Sequence, residues 1–134
     1  MERACVLAKE AGAKRAMLLS VSAPFHCSLM KDAADAMKLA FENVEFKVPS
    51  VPVITNVHAE KITDGDTLKL GLVDQICGRV RWRETLDCMQ AQGVTEIVEC
   101  GAGKVLSGMV RRMNGLNGLS LNTPTDIDEF VKTL

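Results

Sequence analysis

Residues 95–113 read TEIVECGAGKVLSGMVRRM. Thr95 to Cys100 is short, rich in β-branched side chains and bounded by glycine, which predicts a strand. Gly101-Ala102-Gly103 is a turn, and Lys104 to Met113 has the length and composition of a helix. The stretch is therefore strand, glycine turn, helix, and its neighbours continue the alternation. Downstream, a short strand is predicted near Gly118 to Leu121, then a helix capped at Thr123 or Thr125. Upstream, residues 84–92 form a helix ended by Gly93, and a helix over Thr67 to Ile76 follows the turn Asp64-Gly65-Asp66. Alternating strands and helices predict an α/β fold with a parallel, helix-covered sheet.

The same logic extends to the N-terminus. Pro49 and Pro52 break the chain before a strand over Val53 to Val57. From Ser28, the residues Leu29, Met30, Ala33, Met37, Ala40, Phe41 and Val44 recur at helical spacing. Lys31, Asp35, Lys38 and Glu42 take the opposite face, which predicts an amphipathic helix. Arg3 to Ala11 is a short helix stopped by Gly12, and Arg15 to Val21 is apolar and short enough to be a strand before Pro24. One helix and one strand cannot close a layer alone, so this opening pair reads as the end of a larger unit.

Composition limits the functions open to such a chain. With 134 residues it has the length of one domain, and 47% hydrophobic with 25% charged residues supply an ordinary core. Sixteen Lys and Arg against seventeen Asp and Glu give a net charge of −1, which argues against a mainly electrostatic grip on nucleic acid or anionic membrane. No apolar run approaches membrane-spanning length, and Met1-Glu2-Arg3-Ala4-Cys5 lacks the layout of a secretory signal, so a cytoplasmic location is expected. Five cysteines are scattered without a Cys-x-x-Cys pair and with two histidines to join them, which supports neither a metal site nor a disulfide framework. They are expected to be small hydrophobes with reduced thiols.

The densest chemical signal is Val21 to Met30, VSAPFHCSLM. His26 stands between a predicted strand end and a helix start, the position where ligands gather in open α/β sheets, with Pro24 and Phe25 expected to shield it from water. An imidazole there can take up and return a proton near neutral pH. His58 has no motif around it and is expected to face solvent from a loop. Gly101-Ala102-Gly103-Lys104 has the look of a phosphate turn, but Leu106 stands where a dinucleotide fingerprint needs glycine and no Lys-Ser or Lys-Thr pair follows. It reads as tight strand-to-helix packing.

Taken together, the segments EAGAKRAMLLSVSAPFHCSLM, VPVITNV, QICGRVRW with Glu84, AQGVTEIVECGAGKVLSG and the Leu121-Asn122 strand end resemble the C-terminal part of the malonyl-CoA:acyl carrier protein transacylases. The resemblance implies an α/β-hydrolase-like large subdomain over residues 24–134, preceded over residues 1–23 by the last helix and strand of a ferredoxin-like small subdomain. It implies transfer of a malonyl group from malonyl-CoA to the pantetheine thiol of acyl carrier protein in fatty acid biosynthesis, without a further cofactor or metal. A serine would form the acyl-enzyme in a ping-pong reaction, with His26 matching the catalytic histidine. Gln75 matches the residue whose backbone carbonyl orients that ring in place of a carboxylate. Phe25 matches an aromatic that selects malonyl over branched units, and Asn56 matches a position near the active site. Arg111 and Arg112 match basic positions that meet the acidic carrier protein, and Arg15 is a candidate for the CoA phosphates.

The sequence also departs from that pattern. No Gly-His-Ser-x-Gly turn is present, and Ser20, Ser22, Ser28, Ser50, Ser107 and Ser120 lack its context. The nucleophile, the arginine for the malonyl carboxylate and the upstream oxyanion-hole residues are expected on the remaining N-terminal portion of the transferase. Ser20 and Asp32 stand where the family often has proline, and Gly78-Arg79 replaces a common Asn-Pro. Without the remainder, an exposed sheet edge and apolar face are expected, with inactivity and poor stability or association of the isolated chain. A non-catalytic module that keeps carrier binding through Arg111 and Arg112 is the alternative.

Overall fold

The computed structural model describes residues 1–18 and 20–134. The quoted stretch forms β3 (Glu96–Cys100), a glycine turn and a short α5 (Val105–Val110), and β4 (Asn117–Leu121) returns parallel to β3. Register runs from Glu96 opposite Asn117 to Cys100 opposite Leu121. Glycine is required in the connection, where Gly101 and Gly103 take φ of 136° and 100°. Gly118 is required for a different reason: a Cβ there would lie 2.7 Å from the Ser107 carbonyl oxygen, so α5 rests directly on β4.

The earlier elements are α1 (Glu2–Glu10), α2 (Lys31–Ala40), β1 (Val53–Ile54), β2 (Lys61–Ile62), α3 (Gly65–Cys77) and α4 (Trp82–Ala91); α6 (Pro124–Val131) closes the chain. Single 3-10 turns at Ser28–Met30 and Phe41–Asn43 flank α2. Leu86 of α4, Val110 of α5 and Leu116 are buried together, with Trp82, Met89, Ile97 and Met113 packed around them. The second packing unit is α2 against α3.

Several expectations change. Among the described residues the parallel sheet has two strands, and β1 pairs antiparallel with β2, a two-residue strand that no sequence pattern marks. The strand predicted over Val53 to Val57 stops at Ile54, because Thr55 to Ala59 turns back: the Ala59 N–H donates to the Thr55 carbonyl at 2.8 Å, with Ala59 at φ 58°. The strand predicted over Arg15 to Val21 is not formed at residues 15–18 and 20–21, and residue 19 lies outside the described residues. A strand exists through its ladder, and among the described residues no partner strand stands beside 15–18 and 20–21; Met17, Leu18 and Val21 are exposed. The helix predicted over Lys104 to Met113 ends at Val110, so Arg111 is its C-cap and Arg112 lies in the following turn.

Carboxylates fasten the helix starts. Asp64 accepts the Thr67 N–H at 2.7 Å, and Thr123 with Asp126 forms a reciprocal capping box at α6. Glu99 reaches from β3 to accept the N–H groups of Leu106 (3.1 Å) and Ser107 (2.8 Å), which occupies the start of α5 with the protein's own anion. The tight packing expected at the turn is not found: a Cβ at Gly101 or Gly103 would meet open space, so these glycines serve the positive φ, and Glu99 is the anion that meets the start of α5. No helix among the described residues is long and apolar enough to cross a membrane.

The backbone N–H of Ser107, then that of Leu106, holds the Glu99 carboxyl below its ordinary pKa. A depressed carboxylate stabilises the fold above the unfolded value and loses that contribution as pH falls through the folded value, so acid lability is expected below about pH 4. Denaturant midpoints measured from pH 7 to pH 3 should fall less steeply for Glu99→Gln than for the parent chain. Parallel curves would contradict the assignment.

Candidate active site

His26 is held by two features. The segment Ala23 to Met30 is a series of tight turns: Phe25 N–H donates to the Ala23 carbonyl at 2.9 Å, the Cys27 thiol to the Pro24 carbonyl at 3.2 Å, and Met30 N–H to the Cys27 carbonyl at 3.0 Å. His26 itself takes φ 60°, a left-handed conformation that histidine adopts more readily than most residues but still at a cost. Its ring then reaches α3, where Nδ1 lies 2.8 Å from the Gln75 backbone oxygen.

A carbonyl oxygen only accepts, so Nδ1 carries the proton and Nε2 is left with its lone pair free. That is the state of a general base. The side chain of Gln75 adds a second contact, with its Nε2 3.3 Å from His26 Nδ1, while Gln75 Oε1 is buried without a partner. A half-turn of that amide presents Oε1 to Nδ1–H as a further acceptor. Gln75 lies in the last turn of α3, two residues before its end at Cys77.

Asn56 belongs to the same region. With Thr55, Gly71 and Gln75 it lines a cleft of about 200 Å³ between β1 and α3. Its backbone oxygen accepts the Arg81 N–H at 2.8 Å, and its side-chain oxygen accepts the Thr85 hydroxyl at 3.4 Å. Asn56 thus ties the loop after β1 to the start of α4. Phe25 stands beside His26 with ring centroids 6.5 Å apart, but Phe25 and His26 are both exposed, so the shielding expected of Phe25 and Pro24 is absent in this chain.

The remaining candidates lie apart. Arg15 is exposed on the irregular segment after α1. Arg111 and Arg112 are exposed, and neither has an acidic partner within ion-pair distance among the described residues. The structure sets His26 against Gln75 with Phe25 beside it, and places Asn56 in a cleft that Gln75 also lines; the arginines lie elsewhere. The five cysteines are free, four half-buried and Cys100 exposed.

His58 lies in a turn with its side chain 41% exposed, partly facing solvent as expected, but its ring also has contacts the sequence did not signal: Nδ1 is 3.3 Å from the Thr55 hydroxyl and Nε2 3.7 Å from the Asp74 carboxylate. No motif marked it, because the turn at Thr55 to Ala59, which carries Thr55 and brings the ring to Asp74 of α3, has no signal in the sequence.

No protein-family model matches the chain. It is 44% identical over 135 aligned positions to a malonyl CoA-acyl carrier protein transacylase of Haemophilus influenzae, covering 98% of this chain and 43% of that protein. The Bacillus subtilis protein of the same name is 42% identical, covering all of this chain and again 43% of the relative. Among solved structures, the acyl-carrier-protein S-malonyltransferase of Bartonella henselae superposes with a TM-score of 0.87 at 44% identity, over 98% of this chain and 42% of that one. A malonyl-transacylase in complex with a type II PKS acyl-carrier protein gives 0.88 at 38% identity, over 99% and 43%. The chain spans less than half the length of these relatives, and along that span it is homologous to the C-terminal part of the malonyl CoA-acyl carrier protein transacylases.

Proposed function

We propose that this chain supplies the histidine half of a malonyl-transfer site, acting with a serine that lies in the portion of the relatives it does not span. In this reading the hydroxyl attacks the thioester carbonyl of malonyl-CoA, His26 Nε2 takes the hydroxyl proton, and CoA leaves as the thiol once that proton is returned. The pantetheine thiol of acyl carrier protein then attacks the acyl-enzyme ester, His26 again moving the proton, and malonyl-carrier is released with the serine restored. Gln75 fixes the tautomer through its backbone, the role a carboxylate plays in a full triad. The observation that carries the reading is the 2.8 Å contact between His26 Nδ1 and the Gln75 oxygen, which leaves the other ring nitrogen as a base. The names of the relatives supply the substrate and the carrier.

Phe25 is assigned to substrate choice because its ring lies next to His26. Asn56 is assigned to holding the floor of the cleft, since it bonds to Arg81 and Thr85. Arg111 and Arg112, without acidic partners among the described residues, are assigned to the carrier protein, and Arg15 to the CoA phosphates. Residues 1–23 are assigned to the small subdomain and 24–134 to the large one, and the site of action to the cytoplasm. Malonyl-CoA is the only small molecule required. A carrier-binding module without catalysis is the second reading, favoured by the exposed arginines.

With the chain joined to the portion supplied by the Haemophilus influenzae relative, His26→Ala is expected to lower malonyl transfer by about 10²- to 10⁴-fold. Undiminished turnover would remove the proposal. In the same enzyme Phe25→Ser should shift the malonyl-to-methylmalonyl ratio by about tenfold or more, since a pocket resolves one methyl by roughly 1–3 kcal/mol; an unchanged ratio contradicts that role. Charge reversal at Arg111 and Arg112 should slow transfer to the carrier more than hydrolysis of malonyl-CoA, and equal slowing would count against carrier docking.

A further inference from the structure

The contact between His26 and Gln75 depends on where the last turn of α3 is held. Gln75 presents its carbonyl from that turn, and the residue immediately before it, Asp74, faces the half-buried ring of His58 at 3.7 Å. On its other side the His58 ring meets the Thr55 hydroxyl at 3.3 Å. The tautomer that suits both contacts has Nδ1 accepting from the Thr55 hydroxyl and Nε2–H toward the Asp74 carboxylate, which at 3.7 Å is an electrostatic contact to an exposed group rather than a hydrogen bond. Gly71 makes room for the ring, since a Cβ there would lie 3.5 Å from His58 Nδ1 and 3.3 Å from Thr55 Cγ2.

The His58 backbone is fixed as well. Its carbonyl accepts from the Arg81 guanidinium at 2.9 Å, and the Arg81 side chain also meets Glu84 at 3.4 Å. The Arg81 N–H donates to the Asn56 carbonyl, and Val57 packs so closely on the end of α3 that a Cβ at Gly78 would lie 2.4 Å from its Cγ2. The turn after β1 is therefore tied to both α4 and α3; Val57 and His58 are its side chains that meet the end of α3, and His58 does so one residue from Gln75.

We infer that His58, paired with Asp74, is a positioning residue that sets the Gln75 carbonyl at the distance that keeps His26 protonated at Nδ1. The inference rests on the reading of His26 as the base but concerns the state of its ring rather than turnover. Without the brace, the end of α3 is free to shift, the carbonyl moves off Nδ1, and the His26 ring reverts to the Nε2–H form that free imidazoles favour. A base in that form has its proton on the wrong nitrogen.

Two histidines in the sequence make the test direct. Long-range proton–nitrogen spectra of the 15N-labelled chain report the tautomer of each ring. The parent chain is expected to show His26 predominantly Nδ1-protonated. His58→Leu and Asp74→Ala should each lose that predominance, and His58→Gln, whose amide can donate to Asp74 and accept from Thr55, should keep it. Asp74→Ala leaves the Asp74 carbonyl bonded to the Gly78 N–H, so the helix keeps its stop and the result stands even if His58→Leu does not fold. An unchanged His26 tautomer in Asp74→Ala overturns the inference, as does a parent chain without the Nδ1-protonated form. Undiminished turnover by His26→Ala in the joined enzyme would instead overturn the function while leaving the brace in place.

Discussion

A single hydrogen bond, from the Nδ1–H of His26 to the backbone oxygen of Gln75, joins two segments 49 residues apart and decides what the site can do. His26 lies on a string of turns with an unfavourable backbone angle, and nothing in its own segment would fix the ring. α3 supplies the missing constraint from its last turn, where carbonyls have no partner within the helix and are available to outside donors. The bond thereby uses an unfilled helix-end valence to select one tautomer of an imidazole.

The rest of the structure serves that geometry from both sides. Asn56 and Arg81 tie the turn after β1 to the start of α4, and Val57 and His58 of that turn press on the end of α3. The parallel pair β3–β4, with α5 resting on Gly118, makes a separate support whose core is Leu86, Val110 and Leu116. Glu99 occupies the start of α5, so the glycine turn there is committed to folding and not to an anionic ligand. Large apolar side chains such as Leu29, Val48 and Val51 stay exposed.

Much of this was legible in the sequence because it is local. The glycines at 101 and 103, the turn at Asp64 to Asp66, the choice of Thr123 or Thr125 as a cap and the amphipathic pattern from Ser28 each act over a few residues, and a helix or turn stands at each signal, with Asp64 proving to be a cap and Thr123 the one of the two threonines used. The bond from His26 to Gln75 was legible only through resemblance, since no periodicity links residues so far apart. What failed was non-local. Arg15 to Val21 has the composition of a strand, but its described residues, 15–18 and 20–21, have no ladder partner among the described residues, and Val53 to Val57 is cut short by a turn that pairs β1 with the unpredicted β2. The contacts of the His58 ring follow from that same turn, so they had no signal in the sequence either.

The account divides the chemistry between two polypeptide regions, base on this one and nucleophile on the other. It is tested most directly by mixing this chain with the separately made remaining portion of a relative, adding labelled malonyl-CoA and finding which polypeptide carries the covalent malonyl group. The account predicts label on the other polypeptide, passed to acyl carrier protein only when this chain is present. Covalent malonyl on this chain would contradict it.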